Sequence, residues 1–566
     1  MIRHRLKIIF FVLFGVLITQ ATAGYAADEN QVGFQPAVAS AHPLATAAGI
    51  EILQKGGNAF DAAVAVSAAL AVVEPYSSGL GGGGFWLLHN AAERDDVMLD
   101  GRERAPLAAT RDMYLDEKGN VIAGASINGP LAAGIPGTVA ALERLATKYG
   151  TLPLSTTLAA AIEYARDGFV VDAHYRTMAG HRLSALQASF DAAEIFLRDD
   201  RVPEIGTIIT QLDLAVTLEL IAQGGAKAFY TGELAKKMVA SVNRHGGKWS
   251  LQDLAEYRAV ERTPEVIVYK GMRFVSAAPP SSGGLALAEM LNMLSFYKIE
   301  TMQPTQRTHL LAEVMRRAYR DRAEYLGDPD FVEVPADKLT SSVYTHQLVK
   351  SIDRRKATPS AELKPVADPM GPSTDTTHFS IIDAGGNRVS ATLSINYPFG
   401  SGFVVEGTGV LLNDEMDDFS VKPGVPNIYG LVGAEANAIE PGKRMLSSMS
   451  PSFLETRDRV AILGTPGGSR IITMVLLAML DFHQGGDAAS MVKQGRFHHQ
   501  YLPDKIFAEP GVLSKKVIAA LTAKGHQVEE LTGTYGNMQV VVANKKTRRV
   551  EAVSDPRGVG RAEVLR

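Results

Sequence analysis

The chain has 566 residues, 46% of them hydrophobic and 21% charged, an ordinary globular balance. Its formal net charge of −4, with no basic block or stripe, gives nucleic-acid binding no support. Cysteine is absent, which excludes disulfides, thiolate catalysis and cysteine-ligated zinc. Length alone suggests about three or four domains at roughly 150 residues each.

The start of the chain reads as a secretory leader, residues 1–27. Arg3, Arg5 and Lys7 precede the mainly apolar run Ile8 to Thr19, and small residues follow from Ala21 to Ala27. An uncleaved membrane anchor would need about 20 apolar residues. The expectation is therefore a soluble periplasmic or secreted protein.

Pro43 to Gln54 has apolar residues at helical spacing and stops at Lys55-Gly56-Gly57. Asn58 can cap the next helix, Asp61 to Glu74, which is Ala/Val-rich all round and so reads as buried. Further helices are expected at 137–149, 158–167, 211–221, 285–294 and 305–325, with strands at 85–89, 265–269 and 273–276. From Leu339 to Met370 the text turns polar, with Asp353-Arg354-Arg355-Lys356 and Pro359, and reads as a mobile connector. A β-rich stretch follows, then a helix near 471–481 and a tail with a helix at 514–524 and a strand at 538–542.

The connector ends at a hairpin. Thr376–Ile382 and Arg388–Asn396 flank the Gly-rich turn Asp383-Ala384-Gly385-Gly386-Asn387. The second strand alternates strictly, Val389, Ala391, Leu393 and Ile395 on one face and Ser390, Thr392, Ser394 and Asn396 on the other. A five-residue turn pairs Ile382 with Arg388, Ser380 with Ser390, His378 with Thr392 and Thr376 with Ser394. One face then gathers Thr376, His378, Ser394 and Asn396. On a strand such a row is most often the solvent face. However, a cut before Thr376 would give the threonine its own base, because its α-amine can take the hydroxyl proton. The reference amine pKa of about 7.7–8.0 suits that task.

At these residues the chain resembles the γ-glutamyltransferase (glutathione hydrolase) family, from about His42 to Arg557. The resemblance is carried by Asp375-Thr-Thr-His378, Leu412-Asn-Asp-Glu-Met-Asp-Asp-Phe419, Leu446-Ser-Ser-Met-Ser-Pro451 and Gly464-Thr-Pro-Gly-Gly-Ser-Arg470. Gly79-Leu-Gly-Gly-Gly-Gly-Phe85, Asp100-Gly-Arg-Glu103 and Gly134-Ile-Pro-Gly137 come earlier in the expected order. The resemblance implies an α+β N-terminal-nucleophile hydrolase fold, an αββα sandwich. One autocleaved precursor would give two interwoven subunits, 28–375 and 376–566, cut between Asp375 and Thr376 and staying together as a heterodimer.

It also implies roles. Thr376 is the nucleophile, and Ser394, threonine in many relatives, orients its amine or hydroxyl. Arg102 clamps the donor α-carboxylate, helped by Ser447 and Ser448; the planar guanidinium fork suits a carboxylate. Asn396, Glu415 (glutamine in some bacterial members) and Asp418 take the α-ammonium. The N–H groups of Gly467 and Gly468 hold the oxyanion. Tyr429 matches a lid over the site. The implied substrates are glutathione and other γ-glutamyl compounds, with amino acid or dipeptide acceptors, no cofactor and no metal.

Read alone, the same residues are bland. Arg102 would be an exposed charge, Glu415, Asp417 and Asp418 a solvated acidic turn, Ser447-Ser448 a loop, Gly467-Gly468 a turn and Tyr429 core packing. Gly79–Gly84 fits the dinucleotide glycine pattern, but helix precedes it and strand follows, the reverse of what that motif requires. His498-His499 lacks zinc-pair spacing. The rival functions are a same-fold acylase for β-lactam side chains, a poly-γ-glutamate transpeptidase, and an exported binding protein that is never cut.

Overall fold

The computed structural model describes residues 33–363 and 376–566; the leader and Asp375 lie outside them. Helix α1 spans Pro43–Gln54, as its spacing predicts. Helix α2 spans Ala59–Val73 and is buried along its whole length, as an Ala/Val-rich helix must be. Its start is a reciprocal cap. Asn58 accepts from the amides of Phe60 and Asp61, and Asp61 accepts from the amide of Asn58.

The framework strands, in chain order, begin with β1 (Ala37–Ser40), β2 (Gly83–Asn90), β3 (Asp95–Gly101), β4 (Val260–Arg262), β5 (Glu265–Tyr269) and β6 (Met272–Ser276). After the undescribed stretch come β7 (Thr377–Ile382), β8 (Arg388–Ser394), β9 (Ser452–Glu455) and β10 (Arg459–Gly464). The chain ends with β11 (Gln539–Asn544), β12 (Val550–Ser554) and β13 (Arg561–Val564). They form a seven-stranded sheet, order β13-β1-β7-β8-β2-β3-β4, and a six-stranded sheet, order β12-β11-β10-β9-β6-β5. All these pairings are antiparallel.

The two sheets face each other between helical layers. Helix α2 packs on β7 and β8 through Phe379, Ile381, Val389, Ala391 and Leu393. Helices α3 (Gly283–Leu294) and α6 (Ile471–His483) cover the second sheet, and α4 (Pro304–Tyr325) lies against α3. Both sheets contain strands from before residue 364 and from after residue 375, so the two segments share one sandwich. The length-based expectation of three or four domains is therefore wrong.

One more expectation needs correction, and the bland reading of the hairpin fails. The polar row of the hairpin is not a solvent face. Ser390 Oγ donates to Leu463 O on β10, and Ser380 Oγ to Gln539 O on β11, so the row faces the second sheet. The polar stretch from Leu339 is also no connector as far as it is described. Helix α5 (Ser342–Lys350) occupies it, and Leu348, Ile352 and Ala357 are buried. Sparse apolar residues suffice there because α5 packs only one side on α3.

The Gly79–Gly84 run turns α2 into β2. A Cβ on Gly81 would stand 2.1 Å from Leu411 O, and one on Gly82 2.3 Å from Ser394 O, so these glycines admit passing backbone rather than a dinucleotide.

Candidate active site

The hairpin register is the predicted one. Arg388 lies opposite Ile382, Thr392 opposite His378 and Leu393 opposite Thr377, across a five-residue turn at 383–387. One step further, Thr376 stands across from Ser394, and both line one cleft. Its walls also include Arg102, Asn396, Glu415, Asp418, Tyr429, Ser447, Ser448 and Gly468. Every sequence-predicted site residue is thus in this cleft except Gly467, which adjoins Gly468, and Asp375, which lies outside the described residues.

Each wall has a structural reason for its position. Arg102 follows directly on β3, and its backbone is pinned by Asp100 Oδ1 accepting from its amide at 2.9 Å and Tyr257 Oη donating to its carbonyl at 2.7 Å. Its side chain is 1% exposed, not the surface charge its neighbours suggest. Arg102 Nη1 donates to Glu415 and Nη2 to Asp418, each at 2.5 Å. Glu415 and Asp418 belong to a single 3-10 turn, Glu415–Asp418, which the short spacing of the acidic run allows. Asn396 closes β8 in the left-handed region, φ 72°, which asparagine tolerates better than most residues. Ser394 Oγ accepts from the Asn396 amide at 2.8 Å.

Tyr429 roofs the cleft. Its Oη donates to Asn396 O at 2.5 Å, and its ring lies where a side chain on Gly468 would be, 2.6 Å from a built Cβ. The segment around it is tied to the acidic turn by Asn427 Nδ2 on Asp418 and the Ile428 amide on Asp417. Gly467 and Gly468 both have positive φ, 143° and 54°, at the start of the 3-10 turn leading into α6. Under this roof the cleft leaves about 20 Å³, room for roughly one water molecule.

A model of the family described as "Gamma-glutamyltranspeptidase" matches residues 45–565. The chain belongs to the gamma-glutamyltranspeptidase family. It is 42% identical over 530 residues to the glutathione hydrolase proenzyme of Escherichia coli (strain K12), covering 93% of this chain and 91% of that protein. Against the glutathione hydrolase proenzyme of Pseudomonas sp. (strain A14) it is 44% identical over 510 residues, 89% of this chain and 88% of that one. Among solved structures, cephalosporin acylase from Bacillus halodurans superposes with a TM-score of 0.82 at 27% identity, covering 97% of this chain and 99% of that one. The gamma-glutamyltranspeptidase of Helicobacter pylori gives a TM-score of 0.57 at 39% identity, over 59% of this chain and 96% of that one. The fold is the N-terminal-nucleophile αββα sandwich.

In this gamma-glutamyltranspeptidase family member one guanidinium meets three carboxylates, Glu103, Glu415 and Asp418. They cannot all stay ionised. Burial lifts the Glu103 carboxyl well above its ordinary range, and it lifts Glu415 to about 7 against the pull of Arg102. His378 is held neutral by burial, pushed down to about 3, with Nδ1 on Thr392 Oγ1 at 2.9 Å. It is a packing group between the sheets.

Two residues near the cleft escape a reading of the sequence. Arg322 on α4 is buried, donates from Nη2 to Ser448 Oγ at 3.2 Å and from Nε to Ser282 Oγ at 2.9 Å, and Ser282 Oγ donates on to Ser447 O. Gln500 Nε2 donates to the carbonyls of Tyr429 and Gly430, bracing the roof. Arg322 sits in a helix text of alternating charges that reads as solvated, and no local signal separates it from its neighbours. Elsewhere, among the described residues His309, Glu313 and His526 approach one another closely. However, Arg316 and Arg317 occupy Glu313, and His309 Nδ1 bonds His526 Nε2 at 2.7 Å, which is hydrogen-bond rather than metal geometry. His498 and His499 have separate partners, Thr473 and Gln500 for one, Arg316 and Asp504 for the other.

Proposed function

We propose that the chain is a γ-glutamyltransferase that cleaves glutathione and related γ-glutamyl compounds through an ester on Thr376, passing the group to water or to amino acid or dipeptide acceptors. The observation that supports this most is the composition of the cleft. A threonine hydroxyl lies at one end, and a buried guanidinium flanked by carboxylates lies at the other. That arrangement is the complement of an α-amino acid head, which brings one carboxylate and one ammonium. On entry the donor carboxylate takes the fork of Arg102, and the donor ammonium takes Glu415, Asp418 and the Asn396 side chain. The internal ion pairs are thus exchanged for external ones rather than lost, which keeps the desolvation penalty small. Ser447 and Ser448 add hydroxyls to the carboxylate.

The chemistry follows from the same set. The Thr376 α-amine accepts the proton of its hydroxyl, and the oxygen attacks the γ-carbonyl carbon. The amides of Gly467 and Gly468 hold the developing oxyanion; such donors are worth about 2.7–4 kcal/mol. The α-ammonium returns the proton to the leaving nitrogen as the amide bond breaks. Water or an amine then opens the ester and restores Thr376.

This chemistry needs a free amine at Thr376. In the maturation we propose, the Thr376 hydroxyl attacks the Asp375 carbonyl and water opens the resulting ester. The products are a large piece, 28–375 after loss of the leader, and a small piece, 376–566. They would remain a heterodimer because the sheets are built from both. Export through the 1–27 leader to the periplasm or medium completes the reading; among the described residues no helix is long and apolar enough to cross a membrane. The acylase alternative is disfavoured by identity, 27% against 42% for a glutathione hydrolase proenzyme.

The test is to incubate purified protein with glutathione and glycylglycine, identify products, and sequence the N-terminus of the small piece. The expected results are glutamate, γ-glutamyl-glycylglycine and a start at Thr-Thr-His-Phe. A single uncut band without either product would refute the reading.

A further inference from the structure

A second cavity reaches Thr376 from the other side. It has a volume of about 230 Å³, and its walls include Glu74, Ser77, Thr534, Tyr535 and Asn537. Among the described residues, Thr376 is the one that lines both cavities. The loop that flanks Thr376 is divided in the same way, with Pro466 in the second cavity and Gly468 in the first. The nucleophile and the oxyanion loop therefore form a partition. A donor whose glutamyl head fills the first cavity has its scissile bond at this partition, so what lies beyond the bond projects into the second.

The lining says what that part is. Arg557 is the only lysine or arginine on the wall among the described residues. All five of its N–H groups are engaged, by Glu509, Asp555, Val492 O and Gln494 O. His174, also on the wall, is pushed by burial toward its neutral form, so the cavity offers a carboxylate no unpaired cation. It does offer a carboxylate of its own. Glu74, the residue after α2, is 2% exposed and is held by Thr377 Oγ1, which donates to its Oε2 at 2.6 Å. Thr377 is the neighbour of the nucleophile. Tyr76 Oη is farther off, 3.5 Å from Oε1, which leaves that oxygen with one weak donor.

We propose that this cavity is the subsite for the amine beyond the scissile bond, the leaving group on its way out and the acceptor on its way in, with Glu74 as the carboxylate that binds the acceptor's ammonium. The proposal rests on the γ-glutamyl transfer reading. In the transfer step an ammonium acceptor gives one proton to Glu74, and its nitrogen attacks the ester carbon. The C–O bond to Thr376 breaks, and the second nitrogen-bound proton passes through the α-amine to the threonine oxygen. Burial, with Asp172 nearby, lifts the Glu74 carboxyl to about 7, a value suited to exchanging a proton with an amine near neutral pH. The specificity that follows is for amines as such. Ethylamine, which has no carboxylate, should serve as an acceptor as well as glycine does.

The experiment compares the parent enzyme with Glu74→Gln, Glu74→Asp and Thr534→Phe, using glutathione and glutamine as donors and glycylglycine and ethylamine as acceptors. Glu74→Gln should raise the KM for both acceptors about tenfold relative to the KM for the donor, lowering the transfer-to-hydrolysis ratio, and Glu74→Asp should restore part of it. Thr534→Phe fills the cavity and should slow cleavage of glutathione, with its dipeptide leaving group, about tenfold more than cleavage of glutamine, which releases ammonia. An unmoved acceptor KM in the Glu74 variants removes Glu74 from the subsite, and equal slowing of the two donors by Thr534→Phe removes the cavity. A parent enzyme that cleaves neither donor overturns the γ-glutamyl reading itself, and the subsite with it.

Discussion

Ser394→Ala deletes one oxygen at the centre of the cleft. That oxygen accepts from the Asn396 amide at 2.8 Å and faces Thr376 across the hairpin. Asn396 is buried, at 3% exposure, so water does not replace the lost hydroxyl. An orphaned buried donor costs about 1–3 kcal/mol. The Asn396 amide belongs to a residue in the left-handed region whose carbonyl also anchors Tyr429, so the cost falls on the geometry of the roof and the ammonium site. If half of it reaches the transition state, kcat/KM for glutathione drops by roughly two- to tenfold, at about 1.4 kcal/mol per decade. The self-cleavage half-time should lengthen similarly, because the same hydroxyl faces the nucleophile. Ser394→Thr keeps the oxygen and should mature and turn over. Thr392→Ala is the control, since its hydroxyl bonds His378 and no group in the cleft. The assay is glutathione hydrolysis together with the appearance of the small piece on denaturing gels. If Ser394→Ala matched the parent while Thr392→Ala failed, the register argument and the site built on it would be wrong.

Arg102→Lys keeps the charge but cannot bridge Glu415 and Asp418 as the fork does, so kcat/KM for glutathione should fall about ten- to a hundred-fold; an unchanged value would take Arg102 out of donor binding. Burial raises the Glu415 carboxyl, so it is neutral below about 7 and ionised above. Donor KM should therefore fall as pH rises through that value, and Glu415→Gln should flatten the profile; an identical slope in the variant would assign the titration elsewhere. Gly464→Ala would drive a Cβ to 2.3 Å from the His378 ring, which Thr392 and Ser380 pin on either side. The expected loss is about 1–3 kcal/mol of stability, read as a fall in the thermal midpoint; an unchanged midpoint would mean the sheets can part at that point.

Local chemistry made much of this protein legible from its text. The cap at Asn58, the Ala/Val pattern of α2, the five-residue turn at 383–387 and the strict alternation of 389–396 each depend on neighbours in sequence. They specified the helix, the hairpin and the pairing of Thr376 with Ser394. Motif resemblance supplied the residues that line the cleft. What a period of two cannot say is what covers each face. The hydroxyl row of β8 meets β10 and its continuation on β7 meets β11, strands far along the chain, and only that stacking makes a polar row part of the interior. Burial of Arg102 has the same origin, since its partners Glu415 and Asp418 come from the other segment of the chain. Arg322 on α4 is the extreme case. Its helix reads as a charged surface, yet α3 and the Ser447–Ser448 loop enclose it. Tertiary structure decided these environments because burial and charge pairing are set by distant segments, whereas helices, turns and register are set within a few residues.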